Sequence, residues 1–232
     1  MEQTTEKIYL ANERGLTETN AVKIYSTFNF EKYNNEYKKA LETLFLWNDQ
    51  FISGGKTTFF LSKQDSYQLF FPITGSLDIV QEGKEFSVNT GQVQVINAGK
   101  GEVLELTNPY TKDTINYLQI GISTDMFLLR ASEMLFNFNF DQAKNSLIEI
   151  ISNAKLPFKI SAGRFDGSEG VIYSPQHSRN NVFCFVVDGK LEVEGTLLQD
   201  RDGLAFQNLP KLEMRCKSNN ACIIMLELLP LF

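Results

Sequence analysis

The sequence contains very little histidine and no cysteines in a metal-binding spacing. Its 232 residues include one His, His177, and three Cys, none of them in a CxxC arrangement: Cys184, Cys216 and Cys222. Cys184 and Cys222 stand in apolar, strand-like runs, which favours buried free thiols. A catalytic cysteine would need a histidine partner, and only His177 is available.

Basic residues and long apolar runs are also scarce. There are 22 Lys and Arg against 28 Asp and Glu, so the formal net charge is −6 and the pI is near 5.0. Nucleic-acid binding needs clustered basic residues, and no cluster is present. No apolar run approaches the roughly 20 residues that span a bilayer. Residues 1–7 lack the basic-then-apolar layout of a signal peptide. We therefore expect a cytoplasmic protein that binds neither nucleic acid nor membrane.

Short β segments separated by turn residues dominate the first half of the chain. Glu82-Gly83 is a two-residue hairpin signal within this series. Nine short strands in about 100 residues are typical of a β-sandwich or barrel. The predicted strands are 22–25, 43–47, 57–61, 68–73, 76–80, 84–88, 92–96, 103–106 and 117–122.

A second series of strands follows, with Asp188-Gly189 as its strongest hairpin signal because glycine tolerates the positive φ of such turns. The segment between the two series has helical spacing around Met126–Leu129 and Glu133–Leu135, which predicts a connector with a short helix. We expect domains at 1–123 and 146–232, joined by a connector at 124–145. The predicted strands of the second series are 147–151, 158–160, 170–173, 182–187, 190–193, 204–206, 211–214 and 221–228.

Glycines in the first half of the chain are spaced as they are around the metal ligands of one class of β-barrel proteins. Gly55 and Gly75 frame positions 61, 63 and 68, and Gly91 begins a second stretch that ends near Glu102. This frame resembles the cupin signature, G-x5-H-x-H-x4-E-x6-G, in which His residues on alternate strand positions share one face of the barrel. The metal positions here hold Leu61, Lys63, Gln68 and Glu102.

Four further segments are similar to the pirin family of two-domain cupins. The resemblance to this family covers residues 14–123 well and continues more weakly through residues 146–230. The segments are Ser26–Tyr33, Leu46–Asp49, Gly91–Gly101 and Tyr117–Ile122. The resemblance implies an all-β protein with two tandem cupin barrels of the double-stranded β-helix, or jelly-roll, type.

The residues that hold the metal in pirins are replaced in this chain. Pirins use three His and one Glu, and the positions that match them hold Leu61, Lys63, Leu104 and Leu106. Leucine cannot coordinate a metal, and a lysine ammonium repels a dication. We therefore expect no metal and no other cofactor.

Two outcomes are open for the former metal site. The leucines pack as ordinary core, or they line an apolar cavity with a few polar groups, as small-ligand sites do. An inward Lys63 would need Glu102, Asp65 or an anionic ligand, whereas a shifted strand would leave it solvated. The pocket candidates are Leu61, Lys63, Gln68, Glu102, Leu104 and Leu106.

These residues favour a non-catalytic protein that binds a small molecule or has a regulatory or structural role, and no catalytic residue is assigned. The alternative is an oxidoreductase resembling quercetin 2,3-dioxygenase that uses Lys63, Gln68 and Glu102. A small-molecule ligand and a protein partner are left open as alternatives, as are a monomer and a homodimer. His177 has Pro175 and Val182 where companion ligands would stand, which favours a surface or loop histidine.

Overall fold

The computed structural model describes residues 5–125, 134–153 and 155–229, and most of them lie in β-strands. Twenty-one strands and two short 3₁₀ turns form this part of the chain, and it contains no α-helix. The all-β prediction is confirmed.

The strands divide into two groups. The first, running to residue 137, contains β1 Thr5–Tyr9, β2 Gly15–Glu18, β3 Val22–Ser26, β4 Leu44–Ile52, β5 Thr57–Leu61, β6 Ser66–Thr74, β7 Leu77–Gln81, β8 Lys84–Val88, β9 Gln92–Ala98, β10 Val103–Thr107, β11 Ile115–Ser123 and β12 Met134–Asn137. The second contains β13 Leu147–Ile151, β14 Phe158–Phe165, β15 Gly170–Tyr173, β16 Asn181–Asp188, β17 Leu191–Val193, β18 Thr196–Leu198, β19 Gly203–Gln207, β20 Leu212–Cys216 and β21 Ala221–Leu228.

The chain forms two compact units. The N-terminal unit is Arg14–Asn137, and the C-terminal unit is Met1–Glu13 together with Phe138–Phe232. This division differs from the predicted boundaries at both ends of the first domain. β1 pairs with β19 and so belongs to the C-terminal unit. β12 pairs with β9, which places part of the predicted connector in the N-terminal unit.

The predicted connector helix is only partly within the described residues. Residues 126–133 lie outside them. Met134 and Leu135 are in a strand and not in a helix, because their backbone pairs with the edge of β9. Exposure along β12 alternates, with Leu135 and Asn137 more exposed than Met134 and Phe136, as expected for a strand with one covered face.

The N-terminal unit is built from two sheets that share one apolar core. The larger has the order β12-β9-β6-β11-β4-β3-β2, and the smaller has the order β5-β10-β7-β8. Core residues come from both sheets, including Ile24, Leu46 and Tyr117 from the larger and Leu104 and Leu106 from the smaller. The site described below lies in this unit.

The C-terminal unit repeats the arrangement with a six-stranded and a four-stranded sheet. Their orders are β1-β19-β16-β21-β14-β13 and β15-β20-β17-β18. The core between them includes Cys184, Cys216, Phe206 and Met225. All three cysteines are free and buried. Burial raises the pKa of Cys222 to about 11, so this thiol is a weak nucleophile at neutral pH.

The sheets of each unit remain separate. No closed barrel forms among residues 5–125, 134–153 and 155–229, and each jelly-roll unit is a pair of packed sheets. The larger sheet of the N-terminal unit ends at β2 and β12, and the smaller ends at β5 and β8. These edge strands do not pair across the two sheets.

Two hairpin turns form where the sequence predicts them. Glu82 and Gly83 have φ angles of 48° and 80°, so both residues are left-handed and join β7 to β8. Gly189 has a φ of 83° and follows β16. At Glu82-Gly83, two left-handed residues in succession match the right-handed twist of the flanking strands. In the described part of the chain, no helix is long and apolar enough to cross a membrane.

Candidate functional site

A cavity of about 430 Å³ lies in the N-terminal unit, between the two sheets on the side of β5. Its apolar wall includes side chains from both sheets and from the segment after β3. The cavity is of a size that accepts a small organic molecule. Apolar lining residues include Ile24, Phe30, Phe45, Leu46, Phe60 and Leu106.

Two carboxamides, Gln50 and Gln119, form the buried polar part of the cavity wall. Gln50 Nε2 donates to Gln119 Oε1 at 2.5 Å, and Gln119 Nε2 donates to Gln68 Oε1 at 2.9 Å. Gln68 Nε2 then donates to Ser66 Oγ at 2.8 Å. The three amides therefore form one chain with every dipole in the same sense, which strengthens each bond in a medium of low dielectric constant.

Tyr117 begins this chain of hydrogen bonds. Its hydroxyl donates to Gln50 Oε1 at 2.9 Å. Burial raises the pKa of Tyr117 far above its usual range, so the phenol stays protonated and remains a donor. The donor at Tyr117 fixes the orientation of the Gln50 amide, and that in turn fixes the Gln119 and Gln68 amides.

The charged part of the lining is exposed to solvent. Glu31 and Lys63 line the cavity, carry opposite charges and are both exposed. Phe59 and Leu61 also line it, although they are 66% and 53% exposed. Solvent-facing charges interact weakly through water, so they contribute little to the potential inside the cavity.

The six predicted pocket positions do not share one face. β5 pairs with β10 so that Phe60 lies opposite Leu104 and Thr58 opposite Leu106. Directly opposite residues of an antiparallel pair project from the same face, so Leu61 lies on the other face of the smaller sheet. Leu61 is an exposed residue of the edge strand β5 and contributes only to the rim of the cavity. Leu104 and Leu106, in contrast, are buried in the core.

The polar members of the predicted set are also separated. Lys63 is exposed, which corresponds to the solvated alternative. Gln68 is fully buried within the amide chain. Glu102 is half-buried and accepts a hydrogen bond from Gln81 Nε2 at 2.6 Å. Of the six positions, Leu61, Lys63 and Leu106 line the cavity.

These donors do not suit a transition metal. In the part of the chain that the structure describes, no three His, Cys, Asp or Glu side chains come together as metal ligands do. At the positions that the pirin resemblance assigns to the metal, the only non-carbon side-chain atom is the Lys63 amine. Transition metals in proteins prefer imidazole, thiolate or several carboxylates.

His177 lies in the exposed loop between β15 and β16 of the C-terminal unit. This loop is held by Glu227, whose carboxylate is 1% exposed. Glu227 accepts hydrogen bonds from the Tyr173 hydroxyl at 2.6 Å, the backbone N–H of Gln176 at 2.7 Å and the Asn180 side chain. The loop is thus anchored on both sides of His177, while the imidazole remains at the surface.

Gln50 and Gln119 were not among the sequence-based candidates. A signal for them is nevertheless present, because each stands inside a strongly apolar strand. The predicted strand 43–47 ends before Asn48 and Asp49, yet β4 continues through them and Gln50 to Ile52. Three polar residues followed by further apolar strand residues indicate a polar patch on a buried sheet.

Comparison with known proteins supports the fold and part of the family resemblance. Residues 142–228 match the family model described as the quercetinase C-terminal cupin domain. No curated protein sequence was found to match the chain.

Solved structures match over the whole chain. Bacterial pirin YhhW from Escherichia coli, solved in complex with nickel(II), superimposes with a TM-score of 0.84 at 19% identity, covering 98% of this chain and 100% of YhhW. YhaK from Escherichia coli gives a TM-score of 0.71 at 13% identity, covering 89% and 94%. Quercetin 2,3-dioxygenase from Acinetobacter baumannii gives 0.71 at 12% identity, covering 97% and 86%. The chain therefore has a pirin-like cupin fold with two jelly-roll units.

Proposed function

We propose that this protein is a pirin-like two-unit cupin that binds a small molecule in its N-terminal cavity without a transition metal and without catalysing a reaction. The observation that carries the proposal is the composition of the cavity wall. It combines apolar side chains with the buried amides of Gln50 and Gln119. A concave, mostly apolar cavity with a few fixed polar groups is the usual form of a small-ligand site.

The four positions that resemble pirin metal ligands support the metal-free part of the proposal. Leu104 and Leu106 are buried in the apolar core, and Leu61 and Lys63 are exposed on and after the edge strand β5. Nickel is bound in the YhhW structure. In this chain, neither the side chains at these positions nor their directions favour a dication.

Metal analysis tests this proposal directly. The purified full chain is dialysed against nickel, iron or copper, and bound metal is measured by elemental analysis. We expect far less than one equivalent. His177→Ala is the matched control, because it removes the one histidine and with it any metal held weakly at the exposed loop. One equivalent that survives in His177→Ala and is lost in Glu102→Ala would overturn the proposal.

A second candidate function is a quercetinase-like dioxygenase. The observation that favours it is the match of residues 142–228 to the quercetinase C-terminal cupin domain. Its reactive groups would be Lys63, Gln68 and Glu102 in the N-terminal unit. Aerobic consumption of quercetin by the metal-treated protein, abolished by Glu102→Ala, would establish this function and end the non-catalytic proposal.

A further inference from the structure

One buried amide of the N-terminal unit lacks the hydrogen bonds that buried amides normally make. Asn48 is 1% exposed, and within the described residues neither its Oδ1 nor its Nδ2 has a hydrogen-bond partner. An unsatisfied buried polar group costs about 1–3 kcal/mol of stability. Most such groups in native proteins are paired, so Asn48 marks a part of the sheet where the buried polar groups are incompletely satisfied.

Asn48 lies next to residues that form the cavity wall. Asn48 lies in the middle of β4, directly opposite Gln119 on β11. Opposite residues share a face of the sheet, so Asn48 lies on the same face as Gln119. Its neighbours on that face of β4 are Leu46 and Gln50. Leu46, Gln50 and Gln119 all line the cavity, whereas Asn48 itself is not a lining residue.

Gln50 and Gln119 also have unused hydrogen-bonding capacity. A carboxamide offers two N–H donors and two oxygen lone pairs. Among the described residues, Gln50 accepts one bond, from Tyr117, and donates one, to Gln119. Gln119 likewise accepts one and donates one, to Gln68. Each amide therefore keeps one donor and one acceptor free for a ligand.

The charge distribution selects against an ionised ligand. The buried polar groups at the cavity are neutral amides, and the charged lining residues, Glu31 and Lys63, are exposed and opposite in sign. Burying a carboxylate or an ammonium without a buried counter-charge is strongly unfavourable. The best-matched ligand is uncharged and presents a donor and an acceptor side by side.

We propose that the cavity binds an uncharged cyclic amide, in which the N–H and C=O of a lactam lie on one edge of an apolar ring. A cis amide edge forms two parallel hydrogen bonds with a single carboxamide, because each partner supplies one donor and one acceptor. The lactam edge pairs with the amides of Gln50 and Gln119, and the ring packs against Phe60 and Leu106. This inference rests on the small-molecule function proposed above and names the ligand class.

Calorimetric titration of the full chain with quinolin-2(1H)-one tests the inference. N-methylquinolin-2-one is the matched probe, because it keeps the ring and the carbonyl but lacks the donor. Quinoline-2-carboxylate tests for a preference for charge. We expect the N-methyl compound and the carboxylate to bind at least about tenfold more weakly than the lactam.

Variants of the chain locate the binding. Gln50→Leu is expected to weaken lactam binding by at least about tenfold and to weaken N-methylquinolin-2-one binding by a smaller factor, because that compound can lose only the hydrogen bond to its carbonyl. Gln94→Leu is the matched control. Gln94 is buried on the same face of the same sheet, but its amide donates to the Val95 carbonyl and is not part of the cavity wall.

The outcomes separate this inference from the proposed function. Equal binding of the lactam and its N-methyl form, or tighter binding of the carboxylate, would overturn the lactam assignment and leave small-molecule binding in place. Lactam affinity weaker than about 1 mM in a protein with native circular dichroism would also overturn it. One equivalent of bound nickel that survives in His177→Ala and is lost in Glu102→Ala would instead overturn the proposed function.

Discussion

At the scale of single residues, the N-terminal unit carries polar side chains where a sheet interior is normally apolar. Asn48, Gln50, Gln68 and Gln119 are each at most 2% exposed. Gln50, Gln68 and Gln119 satisfy one another in a chain that ends on Ser66, whereas Asn48 does not join it. A buried polar network that is only partly hydrogen-bonded lowers the stability of the folded protein. Buried polar groups of this kind are typical of binding sites.

The Asn48→Leu variant is expected to be more stable than the natural chain. Leucine has a similar volume and no polar atom to desolvate, so the free energy of unfolding should rise by about 1 kcal/mol. Urea denaturation, monitored by the fluorescence of Trp47, measures this free energy. Trp47 is the only tryptophan of the sequence and lies in β4 beside Asn48.

Asn116→Leu provides the matched control. The Asn116 amide donates to Asp49 Oδ1 at 2.7 Å and to the Gln50 carbonyl at 3.0 Å. Its loss should lower the free energy of unfolding by about 1–3 kcal/mol. If both variants were destabilised equally, Asn48 would have a partner such as a bound water, and its description as an unsatisfied amide would be wrong.

The site was only partly predictable from the sequence. The glycine frame located β5 and the strand that carries Leu104 and Leu106, and it indicated that metal ligands are replaced. It could not give the face of each residue, because counting from Gly55 across a turn does not fix the register of β5 on β10. The amides of Gln50 and Gln119 were missed because they become neighbours only when β4 pairs with β11, across 69 residues.

At the scale of secondary-structure elements, each of the seventeen predicted strands overlaps an observed one. The four that were missed are β1, β2, β12 and β18, and all four lie at the edges of their sheets. An edge strand covers less of its surface, so its sequence need not alternate. In β1, for example, only Tyr9 is buried. Pairing with a distant strand, which a local pattern does not reveal, determines these elements.

The hairpin turn at Gly83 isolates the conformational contribution of a glycine. A Cβ added at Gly83 meets no atom within 4 Å, and the φ angle is 80°. Gly83→Ala should therefore lower the free energy of unfolding by about 1 kcal/mol, from backbone strain alone.

Gly189→Ala should cost clearly more. Its φ angle is 83°, and an added Cβ would lie 2.7 Å from Ala221 Cα, so a steric clash adds to the same backbone strain. Thermal unfolding of both variants, followed by circular dichroism, compares them. Equal losses of stability would mean that the strands around Gly189 relax freely, contrary to the close packing seen there.

At the scale of the whole molecule, the two compact units do not follow the order of the chain. The strand nearest the N-terminus completes the sheet of the C-terminal unit, where β1 pairs with β19 over five residues. Tyr9 is buried there and packs edge-on against Phe183, with 5.7 Å between the ring centroids. The C-terminal unit therefore requires both ends of the polypeptide.

Removal of residues 1–10 should destabilise the C-terminal unit selectively. The truncation exposes the edge of β19 and removes the packing of Tyr9, which together should cost about 3–5 kcal/mol. Trp47 fluorescence reports the N-terminal unit, and circular dichroism reports both. We expect the denaturation midpoint from fluorescence to stay unchanged while a new, earlier transition appears in circular dichroism. A single shifted transition in both signals would contradict this expectation.

The anchoring of the β15–β16 loop by Glu227 has an evolutionary consequence. The carboxylate, the Tyr173 hydroxyl and the Asn180 amide satisfy one another, so a change in one leaves a desolvated group in the others. Among homologous chains these three positions should covary as a set. The solvent-facing residues between them, Ser174 and His177 included, are free to drift independently, so the histidine can be lost without disturbing the fold.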